Sequence, residues 1–140
     1  MQTATTWRGS DEVFFELLTK LIFCAGFSKT VVNHRWSAFR QAFCAFQIGE
    51  VMTFDEVVIE SLLSRESGII RNARKVQATV VNARICSELV LQYGSLQQFV
   101  DAVCSLEAAA GQTMLRKTFA LVGESTARSI WRELQGDLLL

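Results

Sequence analysis

Apolar residues recur along this chain at helical spacing, and no stretch shows the two-residue alternation of a half-buried strand. Val13, Phe14, Leu17, Leu18 and Leu21 make one face of a first helix, capped by Ser10 or Asp11 and ended by Cys24, Ala25 and Gly26. Ser28 then caps a long second helix carrying Val32, Trp36, Phe39, Phe43 and Phe46 at steps of four, three, four and three. That aromatic stripe is the strongest periodic signal in the sequence. It is expected to be core, so Trp36 is not taken as a ligand contact. Thr53 and Glu56 form a T-x-x-E capping box for a short third helix with Val57, Val58, Leu62 and Leu63.

The stretch from Ser67 to Arg84, SGIIRNARKVQATVVNAR, opens with a glycine turn and runs straight into a helix. Asn72 is its expected N-cap, and Ile69 and Ile70 plug the turn into the core. Arg71, Arg74 and Lys75 crowd a helix end that the backbone dipole already makes positive. Cations there suit a phosphate. This helix carries Val76, Val80, Ala83 and Ile85 and stops near Tyr93 and Gly94. Ser95 and Gln98 box the start of a fifth helix with Leu96, Phe99, Val100 and Val103, and a sixth is expected from about Met114 to Ala120. Phe119 to Leu134, FALVGESTARSIWREL, resembles a helix-hairpin-helix element. Gly123 would allow its tight turn and Ala127 would let the helices approach. The free N–H groups around Val122, Gly123, Ser125 and Thr126 would hold a DNA phosphate. Glu124 opposes that use, and a plain helical corner is the competing reading.

Composition sets the scale: 140 residues, half of them apolar, suit one all-α domain over residues 10–136, with short tails at 1–9 and 137–140. Fourteen Lys and Arg balance fourteen Asp and Glu, so net charge does not point to a nucleic-acid partner. Distribution is more telling, because Lys20, Lys29, Arg35 and Arg40 lie between Glu16 and Glu50 with no acid among them. Either one positive face or ordinary solvated helix surfaces would account for this. Cys24, Cys44, Cys86 and Cys104 are scattered among apolar neighbours and read as buried thiols of a reducing compartment. With one histidine and no close cysteine pair, no metal is expected. The start lacks a signal core and no apolar run is long enough for a bilayer, so a cytoplasmic protein without a membrane partner is expected.

From Val13 to about Leu89, and again from Gln112 to Gly136, the order of residues resembles the DNA-3-methyladenine glycosylase I family of the helix-hairpin-helix glycosylases. The resemblance is carried by FFELL at Phe14 to Leu18, AGFS at Ala25 to Ser28 and FRQAFCAF at Phe39 to Phe46. GIIRNARKVQATVVNAR at Gly68 to Arg84 and the terminal FALVGESTARSI complete it. Trp7 is similar to a family tryptophan that precedes the first helix. The resemblance implies a compact helical DNA-repair fold of the helix-hairpin-helix glycosylase type that grips double-stranded DNA; a monomer is expected. Its relatives turn a damaged nucleotide into a pocket and cut the N-glycosidic bond.

The chain departs from that family at its working positions. Counted from AGFS, the family's pocket glutamate falls at Leu21 and a pocket tryptophan at Lys29. Leucine cannot steady a developing oxocarbenium, and lysine repels an adenine that already carries positive charge. The family's zinc ligands are also not preserved, so no cofactor is expected. Impaired or lost excision on a retained DNA-binding scaffold is the favoured expectation, with Arg71, Asn72, Arg74, Lys75, Val122, Gly123, Ser125 and Thr126 at the backbone. An active glycosylase using a displaced acid, Glu16 or Glu12, is the alternative. A helical protein-interaction module, with Leu138 to Leu140 or the vacated pocket as its surface, is a third.

Overall fold

The computed structural model describes residues 7–136. Among them lie nine α-helices and no strand: α1 (Asp11–Cys24), α2 (Lys29–His34), α3 (Trp36–Ala42), α4 (Ile48–Val51), α5 (Glu56–Leu62), α6 (Ala73–Tyr93), α7 (Leu96–Cys104), α8 (Ala108–Thr118) and α9 (Glu124–Gln135). The expected C-terminal tail and its leucines lie outside the described residues. α1 packs on α6, α7 and α9, and α8 packs on α9.

α1 starts where Ser10 Oγ accepts from the Val13 amide at 3.2 Å, with Asp11 and Glu12 in the first turn, where the helix dipole favours acids. Asp11 is not the cap. Its carboxylate accepts from the Leu96 amide at 2.8 Å, so it supports the start of α7 beside the Ser95 cap. The buried arc of α1 is Phe14, Phe15, Leu18, Ile22 and Phe23; Val13 falls beyond its edge and is 47% exposed. Trp7, in the expected N-terminal tail, meets Phe14 edge to face at 5.8 Å.

The expected long second helix is broken. It divides into α2 and α3 at Arg35, then ends in a left-handed turn in which Cys44, Ala45 and Phe46 all have φ near +55°. The stripe is nonetheless core: Val32, Phe39, Phe43 and Phe46 are fully buried, and Trp36 stacks between Phe39 and Phe46 with centroids 4.7 and 5.4 Å away. Packing won over local propensity, because only a reversal after Phe43 brings Phe46 back over Trp36 and against Phe15. The reversal leads into α4, which the pattern did not announce. Asp55, not Thr53, caps α5 by accepting from the Val58 amide at 3.0 Å. Thr53 instead donates to the Glu50 carbonyl.

α6 follows its expectation closely. Asn72 caps it through the Lys75 amide, Gly94 ends it at φ +97°, and Ile69 is buried beneath its entry turn. α8 begins at Ala108 rather than near Met114, and ends at Thr118. Ala108 to Ala110 are exposed and carry no apolar signal, which is why the pattern missed that turn. Gly111 then lets α8 meet α9, for a Cβ there would lie 2.1 Å from the Trp131 ring. The link between α8 and α9 turns at Leu121, φ +61°, and not at Gly123, whose φ of −91° is ordinary. Buried Asn82 of α6 holds that link by accepting from the Ala120 amide at 2.7 Å and donating to its carbonyl at 3.2 Å. Of the four thiols, Cys86 and Cys104 are buried as expected, Cys24 is half-buried and Cys44 is exposed on the left-handed turn.

Candidate functional site

Where the C-terminal end of α1 faces α9, the helices leave a cavity of about 240 Å³. Leu21 and Cys24 line it from α1, Ala25 and Gly26 from the following turn, and Lys29 from the start of α2. Ser125, Thr126, Ser129, Arg132 and Glu133 line it from α9. The structure thus gathers Leu21, Lys29, Ser125 and Thr126, four of the residues singled out by sequence, around one space. Among the described residues no aromatic side chain lines it.

The turn at Ala25 and Gly26 is held from behind by Lys75. Its amine reaches out of α6 to donate to the carbonyls of Phe23 at 3.1 Å and Ala25 at 2.8 Å, and it lies about 6 Å from the rings of Phe23 and Phe27. These are the free carbonyls at the end of α1, where a cation is favoured. Burial pushes the Lys75 pKa down from its ordinary value. Burial also raises the Cys24 thiol pKa, against the opposing pull of Lys20, Lys29 and Lys75.

Glu16 is elsewhere. One carboxylate oxygen accepts from Trp36 Nε1 at 2.7 Å, the other pairs with Arg40 at 2.6 Å, and the residue is not part of the cavity wall. Lys20 sits over the Trp36 ring at 5.2 Å. The acid that does line the cavity is Glu133, which sequence reasoning missed. Ser125, Ser129, Arg132 and Glu133 fall at i, i+4, i+7 and i+8, one polar face of α9, and that spacing was the available signal.

Outside the cavity, Arg71 and Arg74 are exposed at the start of α6, and the Asn72 side chain is used as the cap. Val122 is buried under the link. Gly123 caps α9 without a side-chain bond, and the amides of Glu124, Ser125 and Thr126 have no partner among the described residues. A Cβ at Gly123 would meet nothing within 4 Å, so the space in front of this helix end is open.

The match to known proteins follows this geometry. The model of the methyladenine glycosylase family matches residues 5–135. The chain belongs to that family. A 3-methyladenine DNA glycosylase I crystal structure is similar at 25% identity, covering 92% of this chain and 80% of that one with a TM-score of 0.76. The 3-methyladenine DNA glycosylase I of Staphylococcus aureus is similar at 20% identity, over 96% and 80% of the two chains, with a TM-score of 0.79. The all-helical architecture is therefore that of the helix-hairpin-helix DNA glycosylases. Among the described residues no three His, Cys, Asp or Glu side chains are gathered as a metal ion would require. No helix among them is long and apolar enough to cross a membrane.

Proposed function

We propose that this methyladenine glycosylase family member binds double-stranded DNA through its hairpin and has lost base excision. The observation that carries this reading is the cavity wall: Leu21 stands where family resemblance puts a glutamate, and Lys29 where it puts a tryptophan. Stacking on an aromatic side chain is worth about 1–3 kcal/mol per base, and this wall offers no ring to a flipped base. Lys29 adds repulsion toward a cationic methyladenine. Glu16 does not restore the chemistry, because its carboxylate is tied to Trp36 and Arg40 and would have to abandon both.

The grip on DNA is the open N-terminal end of α9, with Gly123 and Ser125 at the phosphate and the exposed Arg71 and Arg74 beside the backbone. Lys75 is not part of that grip, since its amine is spent on two carbonyls. Glu124 weakens the site without closing it, for its side chain is exposed to solvent screening.

One observation favours a second reading: Glu133 lines the cavity and is a better placed acid than Glu16. Incubation of the purified protein with alkylated duplex DNA separates the two. Absence of methyladenine release supports the first; release that Glu133→Gln abolishes and Glu16→Gln spares supports the second.

A further inference from the structure

The cavity lacks a base-stacking wall, yet it is built to hold something polar. Thr126 is nine-tenths buried and lines it, and its hydroxyl has no hydrogen-bond partner among the described residues. The oxygen is not sealed off, so it faces the cavity, where a bound acceptor can take its hydrogen bond in place of solvent. Lys29 from α2 and Arg132 from α9 reach the same space, and neither side chain has a hydrogen-bond or ion-pair partner among the described residues. Two cations and a donor hydroxyl around one void match the acceptor-rich surface of a phosphate. Glu133 would repel a second phosphate and is suited to accept from a sugar hydroxyl instead. At about 240 Å³ the cavity is smaller than the ~300–1,000 Å³ of pockets that enclose drug-sized ligands, and a sugar phosphate is of the right order.

We infer that this cavity binds a phosphorylated sugar, with the phosphate on Lys29, Arg132 and Thr126 and a sugar hydroxyl on Glu133. Two sources present that chemistry: a free pentose phosphate, and the 5′-phosphorylated terminal sugar of a DNA strand. The second source rests on the DNA-binding reading given above, and the first does not.

Titration of the whole chain with 2-deoxyribose 5-phosphate, 2-deoxyribose and inorganic phosphate, followed by calorimetry and by the amide signals of α9, tests the site. The sugar phosphate should bind at least tenfold more tightly than either part. Thr126→Val, and Lys29→Met combined with Arg132→Met, should each weaken it at least tenfold in proteins whose thermal melts match that of the parent. Equal binding of unphosphorylated deoxyribose, equal binding of inorganic phosphate, or no binding of the sugar phosphate to folded protein would overturn the inference. Nicked duplexes with a 5′-phosphate or a 5′-hydroxyl identify the source: a fivefold preference for the phosphate supports the strand end, and equal affinity beside retained sugar-phosphate binding supports the free ligand. If intact and nicked duplexes both failed to bind while the sugar phosphate bound, the DNA-binding reading alone would fall.

Discussion

Asn82 joins α6 to the hairpin link by two hydrogen bonds to the backbone of one residue, Ala120. Asn82→Ala would leave both backbone groups without a partner in a buried setting, so a loss of about 2–3 kcal/mol in urea unfolding is expected. A change below about 0.5 kcal/mol would show that water replaces the side chain easily. The thiols offer a second check at this scale. Exposed Cys44 should react with a thiol reagent first, and Cys86, whose pKa burial raises strongly, only on unfolding. Mass spectrometry of the labelled, folded protein reads that order. Leu21 and Lys29 could be paired from the sequence because AGFS fixes the count to both, and the two line one cavity. Glu133 was not, since nothing local distinguishes a helix face that meets a cavity from one that meets solvent.

Helix starts were legible where a capping side chain comes within a turn of the first periodic apolar position, as at Ser10, Asn72 and Ser95. The second helix misled because aromatic spacing reports which residues are buried, and a chain that folds back can bury the same rings. Ala45 marks the reversal, and its sign is testable. Ala45→Gly should leave stability unchanged or raise it by up to about 1 kcal/mol, because glycine adopts φ of +56° without a Cβ penalty. Ala110→Gly, on the exposed face of α8, should cost about 1 kcal/mol instead. Equal losses at both positions would mean that Ala45 lies in a regular helix. The hairpin depends on the absence of a methyl at Gly111. Gly111→Ala should cost about 1–3 kcal/mol in chemical denaturation, as the Trp131 ring must move. A neutral result would show that α8 and α9 have room to separate.

Across the whole molecule, fourteen Lys and Arg balance fourteen Asp and Glu, so affinity for duplex DNA should reflect local cations such as the exposed Arg71 and Arg74 rather than net charge. The logarithm of the binding constant should fall linearly with the logarithm of salt concentration, and Arg71→Glu with Arg74→Glu should reduce the slope by about two. Fluorescence anisotropy over a salt series measures it; an unchanged slope would remove both arginines from the interface. The architecture was legible because family segments span most of the chain, whereas the cavity's polar wall emerged only when α9 was seated against α1. The most direct measurement of the central claim is release of free methyladenine from alkylated duplex DNA under conditions where binding is saturated. Loss of excision requires that bound protein release no more base than DNA alone; turnover above that background would contradict it.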